Sequence, residues 1–314
     1  MINSLKIVDL FCGAGGLSEG FKQAGFKSVL GVDTNEKALK TFRLNHHSET
    51  LNIDISKLKS VDILSKTNVE IDLIIGGPPC QGFSMAGKRD PKDPRNALVK
   101  SFLEIVNEIR PKVFLIENVP GLLSMKTASG RKSIEIIEEM ANSFGYELEI
   151  HLLNAEDYGV PQKRKRIFII GSRIGKLNLD IKKSKKIPVS KILIEKEKVP
   201  KVYFYSERRI DGFKCRDIKN KKLGLGFGWQ FLDLDKPSYT IRARYYKDGS
   251  EALIKYSENE IRMLTPEECS RIQSFPEDYE FYGGKIQKYI QIGNAVPPLL
   301  AKAVAKSIKR VLSK

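Results

Sequence analysis

Four short apolar runs, separated by helix-patterned stretches, constrain this chain more than any other feature. Residues 6–11 (KIVDLF), 28–33 (SVLGVD), 72–77 (DLIIGG) and 112–119 (KVFLIENV) are rich in branched apolar side chains and lack the alternation of a strand with one wet face. Such strands are covered on both faces. Between the third and fourth, NALVKSFLEIVNEI repeats Leu98, Phe102, Val106 and Ile109 at helical spacing. That alternation builds βαβ units, whose right-handed crossovers wind onto a parallel sheet. The expected fold class is α/β, with a doubly wound, mainly parallel sheet. YELEIHLLNA and RIFIIGS supply two further strands.

The pattern breaks down after Ser172. KKSKKIPVSK and IEKEKVPK are lysine-rich and interrupted by proline, and KKLGLGFGWQF is rich in glycine. Helical periodicity returns in TPEECSRIQSF and in the last segment, where Leu300, Val304, Ile308 and Val311 share a face. Thr265 before Pro266, with Glu268 three residues on, forms a capping box. The expected domains are residues 1–171 plus 258–314, with 172–257 inserted as a smaller irregular module. Of the formal net charge of +16, most falls in that insertion, where residues 172–255 carry 22 Lys/Arg against 10 Asp/Glu. A cationic block this concentrated suits a polyanion such as nucleic acid. The four cysteines (Cys12, Cys80, Cys215, Cys269) and three histidines fit neither a disulfide framework nor a zinc site. With no secretory signal and no run of about 20 apolar residues, a cytoplasmic protein without a metal or membrane partner is expected.

Within VDLFCGAGGLSEGF a strand runs straight into a glycine-rich turn and a helix, the place where α/β sheets take ligands. Asp33, about 20 residues on, is set to accept from ribose hydroxyls. Asp54, after LNI, is expected at the end of another strand, facing an adenine amino group. The turn lacks the third spaced glycine that admits a pyrophosphate. S-adenosylmethionine has no phosphate, and its sulfonium tolerates nearby acids. Cys80, behind Pro78 and Pro79 at the carboxyl end of a strand, would open on the same crevice. A thiol fixed there is a candidate nucleophile: addition to C6 of cytosine makes C5 enamine-like and able to accept a methyl group. Glu117 ends the next strand and is the candidate acid at N3, its carboxyl raised by desolvation. In QKRKRIFII a period of two puts Gln162, Arg164 and Arg166 on one side, facing cytosine O2 and a phosphate.

Taken in order, DLFCGAGGLSEGF, GVDTN, IDI, GGPPCQGFS, ENV, QKRKRIFIIG, LTPEECSRIQSFP and IGNAVPP resemble the motifs of the bacterial DNA (cytosine-5)-methyltransferases of restriction-modification systems. The resemblance runs from Val8 to the last helix apart from the basic module. It implies a Rossmann-like catalytic domain that binds S-adenosylmethionine, with Phe11 on the adenine. Gly13, Leu17, Asp33, Asp54, Pro78, Leu98, Asn294 and Val296 would complete that pocket. Cys80 would be the nucleophile and Glu117 its N3 partner, with Arg164 or Arg166 reading O2. Thr34 departs from relatives that carry an aromatic residue there. The loop QGFSMAGKRDPKDPRN would close over DNA, with Gln81, Ser84 and Arg89 or Arg95 near it. Gln162 would also meet DNA. The basic module would be the target-recognition domain, since SYTIRARYY resembles its recurrent signature. Thr240 would then meet the backbone at the flipped base, and Arg242, Arg244, Tyr245 and Trp229 are candidate base readers. Trp229 is equally readable as a packed anchor. The implied partners are double-stranded DNA and a companion restriction endonuclease, the chain itself acting as a monomer.

An RNA methyltransferase using the same chemistry on tRNA is the nearest rival. That branch of the family carries a Cys-Phe-Thr signature, which is absent here. Thymidylate synthase also adds a cysteine to C6 but needs neither the glycine turn nor the basic block. A DNA-binding protein without catalysis would not need Cys80 and Glu117.

Overall fold

The computed structural model describes residues 4–79, 97–127, 130–226 and 228–313. Cys80, Gln81, Ser84, Arg89 and Arg95 lie outside the described residues. The chain begins β1 (Lys6–Leu10), α1 (Gly16–Gln23), β2 (Lys27–Asp33), α2 (Glu36–His46), β3 (Glu49–Asn52), α3 (Ser60–Thr67) and β4 (Leu73–Gly76). It continues through α4 (Ala97–Ile109), β5 (Val113–Asn118), α5 (Ser133–Ser143), β6 (Glu147–Asn154) and β7 (Lys165–Ser172). Beyond these come α6 (Glu207–Lys222), α7 (Tyr245–Asp248), β8 (Ile254–Ser257), β9 (Glu260–Arg262), α8 (Pro266–Ile272), α9 (Lys285–Asn294) and α10 (Pro298–Leu312).

Seven strands form one sheet in the order β3-β2-β1-β4-β5-β7-β6. It is parallel from β3 to β5, while β7 runs antiparallel to both its neighbours. The four expected strands lie within one residue of their expected limits. Their branched composition follows from burial on two sides. Val8, Leu10, Ile74, Phe114 and Ile116 face one core with Phe102 and Val106 of α4. Ile7, Leu73, Ile75, Val113 and Leu115 face the other, with Leu17 and Phe21 of α1 and Leu300, Val304 and Ile308 of α10. The final helix thus packs back on the sheet, as its apolar face requires. Its approach to α1 is close: a Cβ on Gly20 would lie 2.4 Å from Ala301 Cβ.

A third cluster gathers Val189, Ile210, Leu232, Ile241 and Leu253 from the basic segment with Ile261, Cys269 and Ile272, and with Tyr289 and Ile292 of α9. A seam at residue 257 would cut through this cluster. The basic segment therefore shares its core with α8 and α9, and only α10 returns fully to the sheet. Burial of a bidentate ion pair fixes the junction. Arg262 Nη1 and Nη2 donate to the two Glu268 oxygens at 2.7 and 2.8 Å, with both side chains fully buried. Glu268 also accepts from Thr265 N at 2.9 Å, completing the expected capping box, and from Ile194 N at 3.0 Å. Removing the cation would strand a buried carboxylate. Arg262→Ala should therefore lower unfolding stability by about 3–5 kcal/mol in urea titrations, whereas a loss near zero would mean that water replaces the guanidinium.

Candidate active site

Above the carboxyl ends of β1, β2, β4 and β5 opens a cleft of about 640 Å³, within the usual range for a cofactor site. Period-two alternation decides which side chains reach it. Asp9 lies two residues beyond Ile7 in β1, and Glu117 two beyond Leu115 in β5, so both fall on the α1/α10 side of the sheet. The β5–β7 register pairs Glu117 with Phe168, which brings Arg166 diagonally beside Glu117 on that face.

The glycine turn is pinned from several directions. Phe11, Gly13 and Gly15 adopt positive φ (63°, 53° and 87°), and a Cβ on Gly15 would lie 2.4 Å from His46 Nε2. Asp33 Oδ2 accepts from Gly13 N at 2.8 Å, and its Oδ1 accepts from Asn35 N at 2.8 Å. Burial still raises the Asp33 carboxyl above its usual range. Tyr279 Oη donates to the Ala14 carbonyl and lies 3.2 Å from His46 Nε2. Its one hydrogen is already used, so His46 must donate through Nε2. The buried Nδ1 is then an acceptor without a partner. Burial holds this imidazole down at about 3, so it stays neutral. Beneath the turn, Asp9 is 1 % exposed and accepts from Ser18 Oγ at 2.7 Å through one oxygen. Its other oxygen has no partner, and burial pushes the carboxyl up to about 7.

Across the cleft, Arg166 Nε meets Glu117 Oε1 at 2.8 Å. Burial raises the Glu117 carboxyl against the opposing pull of Arg166 and Arg164. The free oxygen, Oε2, is 3.2 Å from where a Cβ of Gly77 would stand, at the strand end that leads through Pro78 and Pro79 to Cys80. Asn118 Nδ2 donates to the Pro78 carbonyl at 3.2 Å. Arg164 is buried with Nη1 and Nη2 on the carbonyls of Ile241 and Gly293, at 3.1 and 3.0 Å. Its Nε has no partner, and burial draws its pKa down. The segment carrying Thr240 zips onto the approach to β7. Lys163 N donates to Ser238 O at 2.8 Å, and Thr240 Oγ1 donates to Lys163 O at 2.6 Å.

Phe11, Gly13, Leu17, Asp33, Pro78, Glu117, Arg164, Arg166, Thr240, Arg242, Asn294 and Val296 therefore line one cleft. Other expected site residues lie elsewhere. Asp54 caps the turn Ile55–Lys57, accepting from Ser56 N and Oγ at 2.9 and 2.8 Å. Those bonds hold its carboxyl low, and it does not line the cleft; nor does Leu98 of α4. Gln162 is fully buried, donating to Gln273 Oε1 at 2.7 Å and accepting from Ile241 N at 3.0 Å. It braces the segment around Ile241, and its side chain has no exposed face. Tyr245 is likewise internal, its hydroxyl accepting from Leu264 N at 2.7 Å. Trp229, half-buried, packs against Phe213 and Phe231, with ring centroids 6.0 and 4.8 Å apart. Arg244 is exposed at the start of α7, away from the cleft lining. The sequence reading missed Asp9, whose signal is an acid inside a doubly covered strand. It also missed Asn118, His46 and Tyr279. Among the described residues no group of three or more His, Cys, Asp or Glu could hold a metal, and no helix is long and apolar enough to cross a membrane.

A model of the C-5 cytosine-specific DNA methylases matches residues 5–310. The type II methyltransferase M1.ScrFI of Lactococcus lactis subsp. cremoris is 36% identical over 318 aligned positions, covering 98% of this chain and 79% of that protein. M.NlaX of Neisseria lactamica, also a type II methyltransferase, is 33% identical over 316 positions, covering 98% and 97%. The solved Dnmt2 methyltransferase of S. pombe superposes with a TM-score of 0.76 over 99% of each chain at 20% identity, a likeness of fold. A match over nearly the whole chain, on a sheet whose strand ends bring several of these motifs to one cleft, leaves a single assignment: the chain belongs to the C-5 cytosine-specific DNA methylase family and is a DNA (cytosine-5-)-methyltransferase of restriction-modification type.

Proposed function

We propose that this enzyme methylates C5 of a cytosine swung out of duplex DNA, with S-adenosylmethionine as donor and Cys80 bonded transiently to C6. The observation that carries this reading is the pairing of two carboxyls in one cleft: Glu117 beside the Gly77–Pro79 strand end, and Asp9 with an unpartnered oxygen under the glycine turn. The donor set fits the cofactor. An orphaned carboxylate suits the ammonium group of the amino-acid end, and the Asp33 carboxylate suits a ribose. The space beside Gly13, where a Cβ would meet nothing within 4 Å, leaves room for a ligand. Bound there, S-adenosylmethionine supplies an electrophilic methyl group.

The protein's own groups supply the rest. A thiolate at Cys80 adds to C6, and the displaced electron density moves onto N3. Glu117, raised by burial and clamped through Oε1 by Arg166, keeps a proton for that nitrogen. As C5 takes the methyl group, N3 returns its proton to Glu117; the C5 proton then passes to water, its electron pair re-forms the C5=C6 bond, and the Cys80 thiolate leaves C6. The unpartnered Nε of Arg164 and the Arg166 guanidinium provide donors toward the pyrimidine face. Extrusion of the base costs a few kcal/mol, offset by Lys/Arg contacts to phosphate whose strength falls steeply with salt.

Cys80→Ser should reduce tritiated-methyl transfer to duplex DNA by at least about 10³-fold while leaving DNA binding intact. DNA carrying 5-fluorocytosine should trap the wild-type enzyme covalently, since fluorine cannot leave as a proton does. Full activity in the variant, no trapping by an active enzyme, or preferential transfer to tRNA would each overturn the reading.

A cation bound against Asp9 requires the ionised carboxylate, and burial has moved that ionisation up to about 7. Below that pH, binding must expel a proton. Affinity for S-adenosylmethionine should therefore rise with pH through the neutral range and then level off. Asp9→Asn should weaken binding and flatten that rise. Calorimetry in two buffers of different ionisation heat checks the proton release.

Tyr279→Phe leaves the Ala14 carbonyl and the His46 donor unanswered. Loss of these two hydrogen bonds, about 1 kcal/mol each, should raise KM for S-adenosylmethionine roughly thirtyfold while kcat and the Kd for DNA stay near wild type. A fall in kcat with KM unmoved would remove Tyr279 from any role in shaping the turn.

A further inference from the structure

Next to the catalytic cleft the small module carries a second, separate groove of about 550 Å³, lined by Arg209, Phe213 and Arg216 of α6 and by Lys247 and Glu251. The two are contiguous, because Arg242 lines the cleft and is ion-paired with Glu251, which lines the groove. Several cations of this module are neutralised by a neighbouring acid: Lys214 by Asp211, Lys221 by Asp217, Lys236 by Asp233. Arg209, Arg216 and Lys247 are exposed and make no ion pair or side-chain hydrogen bond among the described residues, and Glu251 is already occupied.

The two guanidiniums are also held in place. Arg209 lies 5.0 Å from the Tyr205 ring centroid and 5.5 Å from that of Phe213, and Arg216 lies 5.7 Å from Phe213. Stacking on buried Phe213 orders their planes without using their N–H donors. Ordered, unpaired forks in a concavity match phosphodiester oxygens, which accept two parallel N–H bonds.

We propose that this groove binds the DNA backbone flanking the target, so that the duplex runs from the cleft over the Arg242–Glu251 pair onto α6. The contacts are to phosphate and so carry no sequence information. This rests on duplex DNA being the substrate, a reading tested separately by whether the wild-type enzyme binds and methylates a long duplex at all.

The experiment measures Kd by fluorescence anisotropy against salt, on duplexes trimmed step by step from either side of the methylated cytosine. For the combined Arg209→Gln, Arg216→Gln and Lys247→Gln variant, the slope of log K against log salt on the long duplex should shrink by about two to three, near 0.9 per lost contact. On a duplex lacking the flank on the groove side, variant and wild type should bind alike. Arg209→Lys with Arg216→Lys should keep most of the slope. Lys247→Gln alone, at an exposed position, should remove about 0.9 even if the combined variant folds poorly. A wild-type slope in Lys247→Gln, or an equal loss on long and trimmed duplexes, overturns the proposal.

Discussion

Hydrogen-bond register between β5 and β7 is the constraint on which the catalytic side of this molecule depends. Pairing Glu117 with Phe168 puts Arg166 diagonally beside the carboxyl. Because β7 runs against its neighbours, this happens at the carboxyl end of β5, where β7 begins. A one-residue slip would turn Arg166 to the opposite face and leave Glu117 buried without its cation. The apolar remainder of β7, alternating between two cores, prevents that slip, since Ile167 and Ile169 fill one core while Phe168 and Ile170 fill the other. Packing on both faces thus sets the position of a functional pair.

Arg164, just before β7, extends the same logic to the rest of the chain. It is buried and unneutralised by direct contact, and it spends two nitrogens on main-chain carbonyls: Ile241 in the basic segment and Gly293 near the end of α9. Gln162 works beside it on Ile241 N and Gln273. Polar groups of two alternate residues therefore tie sheet, basic segment and α8–α9 at one point. Such a joint is unforgiving, because losing one partner exposes several buried groups. It lets the segment bearing Thr240 and Arg242 share a cleft wall with Glu117 without a continuous strand between them.

How much of this could be read from the residues alone follows from where periodicity exists. The sheet was legible because strands covered on both faces leave unbroken branched runs, and the capping box at Thr265 was legible because its signal is local. The reversed direction of β7 was not, since nothing in RIFIIGS distinguishes a parallel from an antiparallel strand. The capping role of Asp54 went unread although its signal is local: an Asp two residues before Ser56 is itself a capping pattern. In the glycine- and lysine-rich module no period separates inward from outward, so Trp229 and Tyr245 could be named but not oriented. The Tyr279–His46 contact spans 233 residues and leaves no trace in either neighbourhood.

The close seam between α1 and α10 has a consequence for how the chain is made. Gly20 sits against Ala301, and the face of α1 bearing Leu17 and Phe21 is covered largely by a helix encoded some 280 residues later. At roughly 5–20 residues per second of synthesis, that apolar surface waits on the order of a quarter of a minute to a minute for its cover. During that interval the nascent chain is a natural client for a chaperone. The glycine turn that leads into α1 therefore gains its full support only after residues 298–312 have been made.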